Sequence, residues 1–251
     1  MNRDIRTIMF FATSAIIMVV IIGFTSVKNT VKPVNNVLVE IRDQNGEYFT
    51  DQMEIVNLLN AENTDYVLGL SLDNLDLKLL ESRVEINPFV KDAQIYRDIK
   101  GNLIVKVEQA RPIARIYNPN GPDQYIDEDG RLLPVNAKHT ARVPIVETER
   151  SFSWERSLVE TDYGMDLLSM LNYIEKDEFW KAQIAQIVIE KDGQLKLLPQ
   201  VTKQEILFGM PKGLEGKFRK LMVFYKEILP NKGWNTYSSV NLKFENQIVC
   251  E

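Results

Sequence analysis

The chain has 251 residues, 45% of them hydrophobic and 26% charged, with a formal net charge of −5 at pH 7. That length suits two compact units, the composition excludes a low-complexity or disordered chain, and the acidic balance argues against nucleic acid as a partner. One cysteine, Cys250, excludes an internal disulfide, and one histidine, His139, leaves little for acid–base or metal chemistry.

The elements are taken in chain order. Residues 8–27 read IMFFATSAIIMVVIIGFTSV, without a charge. About 20 residues at about 1.5 Å rise give roughly 30 Å of helix, the thickness of a bilayer's hydrocarbon core. The run is longer than a signal-peptide core and no A-x-A-like site follows it, so a retained membrane anchor is expected. Arg3 and Arg6 favour an inside N-terminus, whereas Lys28 and Lys32 oppose it. Residues 1–7 form a short tail before the span, and 28–36, with Pro33, read as a stalk.

Val37 to Arg42 alternates as a half-buried strand, and Asn45-Gly46 marks a turn. Thr50 is the expected N-cap of a helix running to about Ala61. A second helix is expected from about Asn74 to Ile86, with Leu75, Leu79, Leu80, Val84 and Ile86 as its stripe and both Leu79 and Leu80 facing a sheet. Asn87-Pro88 stops it. Val90 to Tyr96 and Leu103 to Val107 then form a hairpin around Lys100-Gly101-Asn102. The first unit is therefore strand, helix, helix, strand, strand, over 37–109.

The second unit, 110–251, is richer in strands. Pro112 to Tyr117, Gln124 to Asp127, Arg131 to Val135 and Val143 to Glu147 are short strands, with Asp129-Gly130 as a hairpin signal and Pro144 suited to an edge or an end. Tyr163 to Tyr173 has helical spacing. Ile184, Ile187 and Ile189 pair with Leu195, Leu197 and Leu198 around Asp192-Gly193. Leu214, Phe218, Leu221, Met222 and Tyr225 form an amphipathic helix that should end before Pro230. Val240, Leu242 and Phe244 alternate as a last strand, followed by Gln247 to Cys250.

Catalysis needs convergent titratable groups. Nucleophile-elbow, zinc-protease and P-loop motifs are all missing from the sequence. His139 lies in a basic loop and reads as solvated, and Asp127, Glu128 and Asp129 read as a turn rather than a metal site. No cofactor is implied. A strand near the end of a sheet differs from these, because an edge presents N–H and C=O groups to a partner strand.

The order of these elements is familiar. An anchor followed by strand–helix–helix–strand–strand resembles a POTRA-type domain. Asn87-Pro88-Phe89-Val90-Lys91-Asp92-Ala93 resembles a P-x-V-x-x-A step, and Gln109-Ala110-Arg111-Pro112-Ile113-Ala114 an E/Q-x-x-P-I-A link. Tyr125 to Pro134 resembles a (I/L)D-x-x-G-x-(L/V)(F/L)P hairpin, and Val143-Pro144-Ile145-Val146 a (L)P-x-(L/V) strand. Together they resemble the bacterial cell-division family FtsQ/DivIB over nearly the whole chain.

The resemblance implies an α+β protein: a transmembrane helix, a POTRA-type domain, then a mainly antiparallel β domain with packed helices. It implies a non-enzymatic scaffold in the cytoplasmic (inner) membrane, its domain outside the cytoplasm and concentrated at the division septum. Such a scaffold binds FtsB/FtsL-type partners and links early septal-ring proteins to peptidoglycan synthesis. Carried onto this chain, the partner strand would dock along Tyr237, Val240, Leu242, Phe244, Asn246 and Ile248. Here the chain has Glu245-Asn246-Gln247 where the family carries a glycine-containing turn. One competing reading is a membrane-tethered extracytoplasmic hydrolase with a carboxylate site; its acids sit mostly at turns. Another is a POTRA-bearing protein of the outer membrane, which would need many more strands.

A reporter active only outside the cytoplasm, fused after Glu251, is expected to be active with residues 8–27 retained. An inactive fusion, or a mature N-terminus beyond Val27, would contradict that topology.

Overall fold

A computed structural model of the chain describes residues 13–21, 33–42, 49–60, 66–71, 75–136, 138–149 and 157–251. Residues 13–21 of the apolar run are helical and exposed. No helix among the described residues is long and apolar enough to cross a membrane. The remainder of 8–27, the tail 1–7 and the Asn45-Gly46 turn lie outside the described residues.

The described residues pack as two compact units. One comprises those of Met1–Glu40, Gln52–Val84 and Ala93–Lys106; the other those of Ile41–Asp51, Glu85–Asp92 and Val107–Glu251. Strands β1 (Val37–Arg42), β2 (Val90–Arg97) and β3 (Leu103–Gln109) form a three-stranded sheet in the order β1-β3-β2. β1 has the bounds its alternation predicts, with Val37, Val39 and Ile41 the more buried set. The β2–β3 turn closes on Asp98, whose Oδ1 accepts the N–H groups of Lys100 (2.8 Å) and Asn102 (2.7 Å). These bonds hold the Asp98 carboxyl below its ordinary range. Pro33 bridges Ser71, Val34 is buried and its N–H donates to Leu70 O at 2.9 Å, so 33–36 pack against the first unit.

Two helices of that unit differ from the sequence expectation. α1 is Gln52–Leu59 and buries Ile55 and Leu59. It starts two residues after Thr50, whose hydroxyl instead accepts from Asn87 Nδ2 at 3.2 Å. α2 is Leu77–Val84, shorter at both ends than 74–86, with Asp76 accepting the Leu79 N–H at 3.2 Å at its start. Its buried positions are Leu80 and Val84, while Leu79 is 49% exposed and Ile86 lies beyond it, exposed. Residues 79 and 80 are about 100° apart on a 3.6-residue helix, and the buried stripe of this short helix is the narrow Leu80–Val84 line, four residues apart, which leaves Leu79 beside it.

The second unit is built on a nine-stranded sheet ordered β12-β11-β10-β9-β8-β7-β4-β5-β6. Its strands are β4 (Pro112–Ile116), β5 (Gln124–Asp127), β6 (Leu132–Pro134), β7 (Ile145–Thr148), β8 (Ile184–Ile189), β9 (Leu195–Pro199), β10 (Glu205–Gly209), β11 (Ser239–Asn241) and β12 (Val249–Cys250). β10 has no counterpart in the sequence reading, although Ile206 and Phe208 alternate as core positions. Most pairings are antiparallel, but β7 runs parallel to both β4 and β8, and β10 parallel to β11. Pro144 sits at the end of β7 rather than within it, where its carbonyl accepts from Arg115 N–H at 3.0 Å.

Helices pack with one face of this sheet into a common core. α3 (Asp162–Lys176) is capped by Thr161, whose hydroxyl accepts the Gly164 N–H. A Cβ on Gly164 would stand 1.9 Å from the Leu158 carbonyl oxygen, so only glycine fits that close approach. α4 (Glu178–Gln183), absent from the sequence reading, carries the buried Trp180. α5 (Leu214–Val223) continues through a π-helical turn, Phe224–Ile228, into α6 (Leu229–Lys232). The helix therefore passes Pro230 instead of ending before it. Pro230 has no N–H to give to the preceding turn, and the i→i+5 turn, closed by the Leu229 N–H on Phe224 O, shifts the ladder by one residue where that donor is missing. Trp180, Phe208, Phe218 and Phe224 fill the space between these helices and the sheet.

Leu80→Asp is expected to cost about 3 kcal/mol or more, by burying a charge without a partner, and Leu79→Asp less than about 1 kcal/mol. Thermal unfolding of the two variants side by side in the full chain checks this. Equal losses would contradict the observed helix rotation.

Candidate functional site

The sheet order places β12, the last strand, at one edge of the nine-stranded sheet. β11 reaches its place through the long helical crossover after β10, as a parallel neighbour requires, with Glu205, Ile206 and Leu207 opposite Ser239, Val240 and Asn241. β12 returns antiparallel, with Cys250 opposite Val240 and Val249 opposite Asn241. Ser239 N–H donates to Glu251 O at 3.0 Å and Glu251 N–H to Ser239 O at 3.2 Å. That pair exchanges both hydrogen bonds, so by antiparallel alternation Val240–Cys250 is the pair that exchanges none. The N–H and C=O of Cys250 therefore point away from β11, out of the sheet. Ile248 precedes this strand, and alternation continued to it would give it the same polarity.

The six residues expected to form the docking surface divide by environment. Val240 and Leu242 are fully buried core residues. Tyr237 and Ile248 are half-buried against the same core, Tyr237 near the Phe224 ring at 6.1 Å. Phe244 is 47% exposed and Asn246 is exposed, both in the turn between β11 and β12. The edge thus offers backbone at Cys250, with the exposed side chains of Phe244 and Asn246 in the turn before it.

A residue the sequence reading did not single out holds this turn. Lys220, on α5, donates from Nζ to the carbonyl oxygens of Leu242 (3.0 Å) and Phe244. Lys217, one turn earlier, donates to Met210 O at 2.7 Å and lies 4.7 Å from the centre of the Phe208 ring. Burial, then the Lys220 charge, pull the Lys217 ammonium below its ordinary range. No sequence pattern announces a bond between a helix lysine and a carbonyl 22 or 24 residues on. Burial pushes the Cys250 thiol up, which keeps it protonated at neutral pH.

The acidic turn is structural. Asp127 is fully buried; its Oδ1 accepts the N–H groups of Asp129 (3.0 Å) and Arg131 (2.8 Å), and its Oδ2 accepts Arg131 Nε at 2.7 Å. Gly130 has φ +82°, and a Cβ there would also meet Leu168 at 2.8 Å. Glu128 and Asp129 both bind Lys91 Nζ, at 2.7 and 2.8 Å. Those bonds, Asp129's first, hold the Lys91 ammonium well above the ordinary lysine range. The two acids also line an open groove of about 550 Å³ with Ser169, Asn172, Tyr173 and Lys176, where the lysine already neutralises them. Among the described residues no group of three or more His, Cys, Asp or Glu is arranged to hold a metal ion. His139 departs from the expected solvated loop residue. It is half-buried, its ring edge-on to Phe49 at 4.8 Å, and its Nε2 is buried without a hydrogen-bond partner.

Comparison with known proteins then decides the family. Residues 111–251, more than half of the chain, match the family described as FtsQ/DivIB, C-terminal related, and residues 33–108 match a POTRA-like domain. The chain belongs to the FtsQ/DivIB family. It is also similar to the cell division protein FtsQ of Rhodothermus marinus, 27% identical over 185 residues, covering 72% of this chain and 67% of that protein.

The segments resembling the FtsQ/DivIB pattern contain buried polar groups with structural tasks. Asn87 Oδ1 accepts the Phe89 N–H at 3.0 Å, and Gln109 Oε1 accepts the N–H groups of Phe49 (2.9 Å) and Thr50 (3.3 Å). Arg111 pairs with Glu175 on α3. Around these groups Phe49, Phe89, Tyr125 and Leu133 form a small aromatic-rich core of the second unit, with Phe49 stacked on Phe89 at 5.2 Å.

Lys220→Met keeps the aliphatic stem and removes both hydrogen bonds. It is expected to cost about 1–2 kcal/mol and to speed amide exchange in residues 242–250. Hydrogen exchange read by mass spectrometry checks this; unchanged protection would show that the turn holds without the lysine.

Proposed function

We propose that the chain is a non-enzymatic, membrane-anchored scaffold of the bacterial cell-division machinery. In this reading it captures FtsB/FtsL-type partners by strand addition on β12 and links early septal-ring proteins to septal peptidoglycan synthesis. Residues 8–27 span the cytoplasmic membrane, the N-terminus lies inside, and the units 37–109 and 110–251 lie outside at the septum. Membership of a cell-division family supports the role.

The observation that carries the docking site is the outward N–H and C=O of Cys250 and, by alternation, Ile248, beyond which no further strand lies among the described residues. An incoming strand would satisfy these groups, and its residue opposite Cys250 would meet the half-buried end of the core. Phe244 and Asn246 would flank it. The hydrolase alternative gains nothing from the groove at Glu128 and Asp129, whose carboxylates are tied to Lys91.

Proline at Ile248 removes an outward N–H and obstructs an added strand, and Phe244→Ala removes exposed apolar contact. Together they are expected to weaken capture about tenfold or more while the domain stays folded and membrane-bound. Cells whose only copy is the double variant should grow as filaments. Normal division would exclude this edge as the essential site.

A further inference from the structure

The three-stranded sheet of the first unit also ends in an edge, and the chain treats it differently from β12. β2 is an eight-residue strand at the border of the order β1-β3-β2. Such an edge invites pairing with another chain unless something blunts it. At its centre the Ile95 N–H donates to Glu81 Oε1 at 2.9 Å. Glu81 is on α2, fourteen residues earlier in the chain, and is half-buried beside the strand. A helix side chain cannot stand between two hydrogen-bonded strands, so this N–H points outward, away from β3.

An antiparallel pair of two identical β2 edges, related by a two-fold axis through Ile95, would be a hydrogen-bonded pair. Each Ile95 N–H would meet the other copy's Ile95 carbonyl. The Glu81 carboxylate oxygen already occupies the place of that carbonyl. It satisfies the donor, and its negative charge faces the partial negative charge of any carbonyl that approaches. The opposite edge carries a comparable contact: Gln52 Nε2, on α1, donates to Val39 O of β1 at 3.2 Å.

We propose that Glu81 guards the β2 edge against strand pairing with a second copy of this chain. Removing the carboxylate frees an outward N–H on a strand whose side chains alternate cleanly, with Ala93 and Ile95 buried and Gln94 and Tyr96 exposed. Register at Ile95 is then well specified. On the membrane-anchored reading proposed above, the guard keeps neighbouring copies apart at this sheet.

The test compares the full chain with its Glu81→Ala and Glu81→Gln variants in detergent micelles, by sedimentation velocity over a concentration series and by amide exchange at Ile95. Alanine is the best helix former, so α2 is retained. Glu81→Ala is expected to self-associate at least about tenfold more tightly than the parent, the equivalent of one or two main-chain hydrogen bonds, with Ile95 protected in the associated form. Glu81→Gln keeps an acceptor oxygen and should behave as the parent. Unchanged association of Glu81→Ala overturns the proposal. So does association that leaves the Ile95 amide unprotected, because the copies then meet elsewhere. Association of Glu81→Gln equal to that of Glu81→Ala also overturns it, because an occupied acceptor position would then not be the guard.

Discussion

One row of apolar side chains crosses seven neighbouring strands of the large sheet, and the rest of the second unit is arranged to keep it dry. Ile116 of β4 stands opposite Val146 of β7, Val146 opposite Ile187 of β8, and Ile187 opposite Leu197 of β9. Leu197 stands opposite Ile206 of β10, Ile206 opposite Val240 of β11, and Val240 opposite Cys250 of β12. Because the side-chain period of a strand is two, a slip of one residue anywhere would throw that strand's share of the row onto the open face. The row therefore fixes register across parallel and antiparallel pairs alike. It also explains why the terminal strand stays in the sheet at only two residues: Cys250 completes the row, and Ile248 packs beside it.

The ends of the two sheets show how the chain manages unsatisfied backbone. β6 is three residues long and ends at Pro134, and Arg131 just before it is bridged by Ser157. β1 and β2 each receive a side chain from a helix, Gln52 and Glu81. At β12 the backbone that points outward has no such cover among the described residues, and the lysine nearby, Lys220, binds the carbonyls of the preceding turn instead. Covering some edges and leaving one bare is what a protein needs if one edge is to bind while the others must not.

What could be read in the sequence was whatever local pattern controls. β1 and the β8–β9 hairpin follow from alternation and a glycine turn. The amphipathic α5 and the Asp127–Gly130 turn follow from spacing. What could not be read depends on distant chain. Leu79 and Leu80 are both apolar, and only the sheet beneath α2 selects one of them. β10 is five residues between a polar loop and a helix, too short to stand out until Leu197 and Val240 flank Ile206. The parallel placement of β7 between β4 and β8 leaves no mark in its own four residues. Pro230 reads as a stop, and the π turn that carries the helix past it is visible only in three dimensions.

The same division separates the family signature from the site. The residues that made the chain recognisable, Asn87, Gln109, Arg111 and Asp127 among them, each satisfy buried backbone or a buried charge, and polar groups with one geometric solution leave a fixed sequence pattern. An edge strand works through N–H and C=O groups that every residue but proline carries. Its side chains are free to serve the core, as Val240 and Leu242 do, so the sequence there records packing rather than recognition. The docking edge proposed at β12 is located by register and by what fails to cover it.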